Sequence, residues 1–303
     1  MHAWEQIQKT IDYIEEHISE EITIEELAEI AALSPFYFQR LFKRLVRKPV
    51  MEYIKLRRLA RATEELLKRD KRILDIALDL GFSSHEHFTR CFKETFGVTP
   101  EEYRRSPVTV NTMTKPQLML QYTLVDEGVP LICDDIVLEI TRRKLEAPED
   151  FIGMEMKLPV EYLSGLGTES GPDPLDTLWN NFHDQKPEIK ELKPEGDEIG
   201  VAYHSDEEGY FCYFAGAESD SSKAGEGCKS WQLPAGEYIV CSFEAENFKA
   251  LVMDALYKAQ RYLYQVWLAE HKLTTKAFSV ERYESHEPLT TRMEMWVMPV
   301  PGE

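Results

Sequence analysis

Apolar residues recur at helical spacing through the first third of the chain. The earliest set is Ile7, Ile11, Ile14 and Ile18. This spacing predicts an amphipathic helix over residues 3–18. Thr23 followed by Glu26 has the spacing of a capping box, which predicts the start of a short second helix. Ser34 followed by Pro35 predicts the start of a third helix, because proline at the first helical position loses no hydrogen bond.

One segment of this helical region occurs twice, with an offset of 50 residues. "SPFYFQRLFKRLVRKPVMEY" occupies residues 34–53 and "SHEHFTRCFKETFGVTPEEY" occupies residues 84–103. The coinciding positions are Ser34/Ser84, Phe38/Phe88, Arg40/Arg90, Phe42/Phe92, Lys43/Lys93, Glu52/Glu102 and Tyr53/Tyr103. A short helix that ends at Gly81, a candidate left-handed cap, precedes the second copy. Residues 50–69 are predicted to form one helix about 30 Å long between the copies.

Each copy has an apolar face and a polar face. Phe38, Phe42, Phe88, Cys91 and Phe92 lie on the apolar faces and are predicted core residues. The polar faces carry Phe36, Gln39, Arg40 and Lys43 in the first copy, and His85, Glu86, Thr89, Arg90 and Lys93 in the second. Glutamine and arginine make bidentate contacts to adenine and guanine, and glutamate can accept from cytosine. A solvated basic face is the simpler alternative.

The charge distribution supports a nucleic-acid partner for this region alone. The net charge of the chain is −19. Residues 1–107 hold 18 Lys and Arg against 19 Asp and Glu, whereas residues 108–303 hold 17 against 35. Within residues 34–72, 13 basic and 4 acidic residues give a local charge of +9. A compact basic region in an acidic chain is typical of a DNA-binding segment.

Residues 3–106 resemble the DNA-binding domain of the AraC/XylS family, most closely in "IALDLGFSSHEHFTRCFKETFGVTPEEYR". The resemblance implies two helix-turn-helix motifs, sequence-specific binding of double-stranded promoter DNA and control of transcription. By motif position, the residues that would face the bases are Phe36, Gln39, Arg40, His85, Glu86 and Arg90. RNA polymerase is a further candidate partner.

The remainder of the chain alternates predicted strands with two amphipathic helices. We expect a DNA-binding domain over residues 1–107, a linker over 108–134 and a second domain over 135–303. In that second domain, a strand, a helix and a hairpin follow one another twice. The fold class is therefore a multi-domain chain: an all-α double helix-turn-helix domain followed by a duplicated α+β domain.

Residues 135–300 resemble the gyrase-inhibitor-like (GyrI-like) effector-binding domain. The resemblance lies in "LWNNF" at 178–182, "FCYFAGAE" at 211–218, and "VERYE" followed by "MEMWVMPV" at 280–299. It implies a pocket between two halves of a sheet that binds small organic molecules, often cationic, through carboxylates and aromatic rings.

Strand periodicity singles out two carboxylates near aromatic rings. Glu281 and Tyr283 share one strand face, as do Glu294 and Trp296 on the next strand. A carboxylate beside an aromatic ring is a poor core element but a suitable cation site. The alternative is a solvent-exposed face of the sheet, with Glu281 and Tyr283 hydrated. Further candidate lining residues are Tyr213, Tyr203, Trp179 and Phe182, although Trp179 and Phe182 fit a core position better.

Other features limit the function. We expect no signal peptide and no membrane partner, because neither a basic leader nor a long apolar run is present. Five scattered cysteines without a CxxC pair are typical of reduced thiols in the cytoplasm. No cofactor motif is found, and we expect a regulator rather than an enzyme. The alternatives are a GyrI-like hydrolase with Glu281 as base, or a protein-binding module fused to the DNA-binding domain.

Overall fold

A helical unit and a sheet unit make up the chain. The computed structural model describes residues 3–133, 136–165, 167, 169–225, 227–283 and 291–300. The helical unit comprises Met1–Tyr122 and Gly165–Asp173, and the sheet unit comprises Thr123–Ser164 and Pro174–Glu303. The predicted linker over 108–134 is thus divided between the two units. None of the helices in the described part of the chain combines the length and apolar character needed to cross a bilayer.

The helical unit contains the predicted duplicated helices. Its elements are α1 (Ala3–Glu16), α2 (Ile24–Ile30), α3 (Pro35–Val46), α4 (Val50–Lys68), α5 (Ile73–Asp79), α6 (His85–Phe96), α7 (Pro100–Arg105), β1 (Val110–Asn111) and α8 (Leu118–Tyr122). Gly81 has a φ of 71°, so the predicted left-handed position after α5 is confirmed. The all-α double helix-turn-helix architecture is confirmed as well.

Helix caps follow the sequence with one difference. The Thr23 side chain accepts a hydrogen bond from the Glu26 N–H, as a capping box requires. The Glu26 carboxylate, however, accepts from the Tyr13 hydroxyl at 2.5 Å, because α1 brings this stronger donor within reach. A complete capping box instead joins Thr99 and Glu102 at the start of α7.

The sequence repeat corresponds to a repeated aromatic core. Phe42 packs against Tyr53 with ring centroids 5.6 Å apart, and the equivalent pair Phe92 and Tyr103 is also 5.6 Å apart. Each motif has its own cluster of buried side chains. Helix α4 supplies Tyr53 to the first cluster and its later turns to the second, so it connects the two cores.

The sheet unit is built on one antiparallel sheet. The strands and helices that follow α8 are β2 (Leu131–Cys133), β3 (Ile136–Leu145), β4 (Glu149–Pro159), α9 (Val160–Gly165), β5 (Gly171–Pro172), α10 (Pro174–Gln185), β6 (Glu198–His204), β7 (Tyr210–Glu218), β8 (Lys229–Leu233), β9 (Gly236–Glu244), α11 (Phe248–Ala250), α12 (Leu256–Tyr262), α13 (Leu268–Glu270), β10 (Thr275–Tyr283) and β11 (Arg292–Pro299). A 3-10 turn (Lys186–Glu188) follows α10, and two π-helical segments (Leu251–Ala255 and Leu263–Trp267) join α11, α12 and α13. Strand β5 belongs to the helical unit, where it pairs with β1.

The order of strands in the sheet shows the expected duplication. The order is β2-β3-β9-β11-β10-β6-β7-β4-β8. A first module runs β4, α10, β6, β7, and a second runs β9, α11–α13, β10, β11. The two modules meet where β10 pairs with β6, in the middle of the sheet. The α+β class and the repeated strand, helix and hairpin are therefore confirmed.

A half-buried ion pair joins α1 to α4. The Arg57 guanidinium donates to both Glu15 carboxylate oxygens at 2.7 and 2.8 Å, and the Tyr53 hydroxyl donates to the same carboxylate at 2.7 Å. Burial raises the pKa of Glu15, but hydrogen bonds and charge from Arg57 outweigh this effect and hold the pKa below its ordinary value. The pair therefore stabilises the folded state when Glu15 is ionised.

Replacing this carboxylate tests its contribution. We expect Glu15→Gln to lower the free energy of unfolding at neutral pH by about 3 kcal/mol, because the half-buried Arg57 loses its counter-charge. In the native protein this stabilisation is complete above the ordinary pKa of 4.5 and is lost as pH falls through the lower folded-state value. The variant should lack this decline.

Urea unfolding followed by far-UV circular dichroism, at neutral pH and below pH 4.5, measures both effects. Glu29→Gln, at an exposed position of α2, is the control. An equal loss of stability in the two variants would contradict a specific role for the Glu15–Arg57 pair.

Candidate functional site

The two candidate recognition helices, α3 and α6, begin in the same way. The Ser34 hydroxyl accepts from the Tyr37 N–H at 3.4 Å, and the Ser84 hydroxyl accepts from the His87 N–H at 3.2 Å. Such caps satisfy N–H groups that the first helical turn leaves without a partner. The two helices are therefore equivalent in start, length and buried face.

Most of the predicted DNA-facing side chains are exposed. The exposed ones are Phe36, Gln39, Arg40, Lys43, His85, Glu86, Arg90 and Lys93. Phe36 is 75% exposed, and Tyr37, which the sequence analysis did not select, is 52% exposed. Thr89 differs, because it is half-buried and its hydroxyl oxygen is buried without a hydrogen-bond partner among the described residues. Its hydroxyl is thus poorly placed to contact DNA.

Many basic side chains of this region are used within the fold. Arg57 holds Glu15, Lys48 pairs with Glu169 at 2.6 Å, and Arg58 donates to backbone carbonyls. The basic residues of α3 are Arg40, Lys43 and Arg44, followed by its cap Arg47. None of these four has an ion-pair partner among the described residues, and all four are exposed. Helix α3 and its cap therefore present a cluster of four exposed cations without an ion-pair partner among the described residues.

Glu86 is oriented by the start of α6. Hydrogen bonds from its own backbone N–H and from the Ser84 side chain lower the pKa of its carboxyl. The carboxylate thus stays ionised and accepting.

The candidate ligand site lies where β10 meets β6. One oxygen of the Glu281 carboxylate accepts from the Tyr213 hydroxyl at 2.6 Å and from the Tyr283 hydroxyl at 2.8 Å. Gly200, opposite Glu281 on β6, leaves the room for this arrangement. A Cβ at Gly200 would lie 2.0 Å from the Tyr213 hydroxyl oxygen.

Aromatic rings from the helices lie against this cluster. The Trp179 ring of α10 meets Tyr283 edge-to-face with centroids 5.2 Å apart, and Phe248 of α11 lies 6.4 Å from Tyr283. Trp179 is half-buried, whereas Phe182 is completely buried and belongs to the core. The structure therefore brings Glu281, Tyr283, Tyr213 and Trp179 together.

Burial and charge keep both tyrosines protonated. Burial is the first cause that raises the pKa of Tyr213 and Tyr283 well above 10.0, and the negative charge of Glu281 is the second. Both hydroxyls consequently remain donors to the carboxylate. The site presents a carboxylate, two phenols and an indole, a combination that suits a cation with apolar groups.

Three of the predicted lining residues lie on the opposite face of the sheet. Glu294 pairs in register with Arg282, and Tyr203 with Phe278, so neither shares the face of Glu281. Trp296 lies on the same side as Glu294, because side chains two positions apart on a strand share a face. The prediction of one cation site containing both Glu281 and Glu294 is therefore wrong.

The Glu294 carboxylate has its counter-charge within the fold. Arg143 binds both of its oxygens, at 2.9 and 2.6 Å, and the Trp296 indole N–H donates to it at 2.9 Å. The Arg282 guanidinium lies 4.9 Å from the centre of the Trp296 ring. This is a structural ion pair and cation–π contact rather than a ligand site. Tyr203 likewise donates to Glu155 and packs on Trp231.

A second polar group near the site was not predicted. Glu198, directly opposite Tyr283 in the sheet, accepts hydrogen bonds from Lys186 and contacts the His183 imidazole at 3.0 Å. His183 also lies 5.5 Å from Trp179. The helical spacing of Trp179 and His183 could have indicated this contact, but only the strand pairing identifies Glu198.

Comparison with known proteins identifies both halves of the chain. Residues 27–106 match a helix-turn-helix domain, and residues 153–299 match the GyrI-like small molecule binding domain. An uncharacterized HTH-type transcriptional regulator, YbfP of Bacillus subtilis, is 44% identical over 104 residues, which are 34% of this chain and 35% of YbfP. The regulatory protein SoxS of Salmonella typhimurium is 40% identical over 98 residues, 32% of this chain and 92% of SoxS.

A solved structure matches the same region. The C-terminal domain of AraT, a response regulator from Geobacillus stearothermophilus, is 30% identical, with a TM-score of 0.32; the match covers 33% of this chain and 84% of that domain. This chain thus spans about a third of the length of YbfP and nearly all of SoxS. It belongs to the AraC family of helix-turn-helix regulators and carries a GyrI-like domain after the family's DNA-binding domain.

The charge of Glu281 can be tested through its tyrosine partners. We expect Glu281→Gln to lower the pKa of Tyr213 and Tyr283, because the negative charge that opposes tyrosinate formation is removed. Titration of labelled tyrosine Cζ resonances by NMR measures the change. Glu294→Gln, on the other face of the sheet, should leave both values unaltered; an equal shift in the two variants would contradict the geometry of this site.

Proposed function

We propose that this protein regulates transcription by reading two adjacent segments of promoter DNA with α3 and α6. The observation that carries the proposal is the pair of equivalently capped helices, each with an exposed polar face. Gln39 and Arg40 on α3, and Arg90 on α6, are side-chain types that read base edges in the major groove. The regulatory names of YbfP and SoxS support this proposal.

Two recognition helices in one chain also fit the length of α4. A helix of 19 residues is about 28 Å long, close to the ~34 Å between successive major grooves. The unpaired cations of α3 would add contacts to phosphates and a dependence on salt. Contact with RNA polymerase stays a prediction.

If Arg40 and Arg90 contact base edges, replacing either residue should reduce the preference for one DNA sequence over another. Arg40→Ala and Arg90→Ala should each weaken binding to the preferred sequence by about 1–3 kcal/mol and relax its specificity. Gel shifts with DNA selected from a random pool, against a scrambled sequence of the same composition, measure both quantities. Lys190→Ala, which removes an exposed cation from the sheet unit, controls for net charge. Unchanged discrimination in both arginine variants would rule out base reading by these residues.

We further propose that the GyrI-like domain senses a small organic cation through Glu281. The Glu281 carboxylate is half-buried, and the attraction between opposite charges is stronger in such surroundings than in water, which favours a positively charged ligand. The rings of Trp179, Tyr213 and Tyr283 supply apolar area and electron-rich faces around it. The surplus of acid in residues 108–303 would steer cations toward the domain.

Because the two carboxylates lie on opposite faces of the sheet, matched variants should differ in their affinity for a cation. Glu281→Gln keeps the shape of the side chain and removes its charge, so affinity for tetraphenylphosphonium should fall about tenfold or more. Glu294→Gln should have little effect, since Glu294 is paired with Arg143 on the other face. Isothermal titration calorimetry at two salt concentrations measures these affinities. Equal binding by the native protein and Glu281→Gln would exclude a charge-based site.

Hydrolysis is a second candidate function for the same cluster. Two protonated phenols lie within 2.8 Å of the Glu281 carboxylate, so a base and proton donors are adjacent. Turnover of an electrophilic substrate by the full chain, abolished in Glu281→Gln, would support it. The fused DNA-binding domain favours sensing.

A further inference from the structure

A short segment within the GyrI-like part of the sequence belongs to the helical unit. Residues 167–173 lie between α9 and α10, inside the matched range 153–299, yet they belong to the helical unit. We call the described residues of this segment, Gly167 and 169–173, the strap. Its position in the fold does not follow from either sequence match.

Backbone hydrogen bonds hold the strap along residues 109–114. Strand β5 pairs with β1, the Thr114 N–H donates to the Gly167 carbonyl at 3.1 Å, and the Asp173 N–H donates to the Thr109 carbonyl at 3.3 Å. The Met113 N–H donates to the Ser170 hydroxyl at 2.9 Å. The strap and residues 109–114 thus form one two-stranded ribbon.

This ribbon inserts side chains into both helix-turn-helix cores. Met113 is 1% exposed and belongs to the core of the first motif, whereas Val110 is 5% exposed and belongs to the core of the second. The Met113 carbonyl also accepts from the Arg57 guanidinium at 2.5 Å, in the middle of α4. The ribbon therefore contacts both motifs and the helix that joins them.

The strap itself contacts the region just beyond each recognition helix. Glu169 pairs with Lys48 at 2.6 Å, in the turn between α3 and α4. At the other motif, Pro172 lies against Gly97, the cap of α6, where an added Cβ would be 3.9 Å from its ring. Gly171 lies equally close to the Thr95 carbonyl in the last turn of α6.

We propose that the strap is a positioning element of the DNA reader, which fixes the position of α3 relative to α6. Helix α4 joins the two motifs along the chain, and Met113 and Val110 pack into their two cores. The strap adds a further connection that crosses from Lys48 to Gly97. This inference builds on the proposed reading of two DNA segments, for which a fixed spacing between helices sets the spacing of the bases read.

The strap also connects the reader to the ligand site along the chain. Helix α10 begins at Pro174, directly after the strap, and carries Trp179 against Tyr283.

A strap variant of the full chain tests the positioning role. Glu169→Gln, Ser170→Ala and Pro172→Gly together remove the ion pair, the hydroxyl acceptor and the proline ring, with the backbone ribbon left to hold the fold. Glu188→Gln, Ser230→Ala and Pro194→Gly, all exposed in the sheet unit, form the matched control. Far-UV circular dichroism checks that both proteins are folded.

Spin labels report the spacing without DNA. Arg44→Cys and Glu94→Cys place labels at equivalent exposed positions of α3 and α6, in a Cys228→Ser background that removes the half-buried thiol. Double electron–electron resonance should give a narrow distance distribution in the control and a broader or shifted one in the strap variant. The same distribution in both proteins would overturn the proposal.

DNA binding supplies an independent readout. Insertion of one base pair between the two recognised segments should weaken binding by the control protein. The loss of affinity that the insertion causes should be about tenfold smaller in the strap variant. An unchanged penalty would also count against the inference. If the spin-label distances change while none of the proteins discriminates between DNA sequences, the positioning role stands and the proposed function fails.

Discussion

The DNA-binding unit depends on the packing of one helix, α4, into two cores. Its first turns bury Tyr53 against Phe42, and its later turns bury Leu59 and Leu66 with the second motif. Burial of each such side chain contributes about 1.5–3 kcal/mol, so α4 stabilises both motifs. Because a helix is stiff along its axis, this shared packing holds the two motifs in one unit.

A different constraint, the alternation of side chains along a strand, decides which residues meet at the candidate ligand site. At the pairing of β10 with β6, every second residue points to the face covered by α10, and the others point away. Glu281 therefore meets Tyr213 and Trp179, whereas Glu294 meets Arg143 on the other face. The duplicated modules place this site at their seam, where helices from both halves contribute aromatic rings.

Charge in this protein has two distinct uses. Part of the basic surplus of residues 34–72 neutralises buried or nearby carboxylates, as Arg57 and Lys48 do. The cations of α3 have no such partner among the described residues, which leaves them available to phosphates. Net charge alone would have argued against DNA binding, since only the local arrangement shows which cations are free.

The sequence by itself determined the helices, the duplication and the exposed faces of α3 and α6. The 50-residue repeat, the caps Ser34 and Ser84, and the helical spacing of apolar residues are local signals, so they survive without tertiary information. Strand periodicity also paired Glu281 with Tyr283. It could not decide which faces of two different strands coincide, because that depends on register, and the prediction for Glu294 failed for this reason. Only the tertiary structure placed Glu198 beside Tyr283 and residues 167–173 in the helical unit, since both contacts join segments that are distant in sequence.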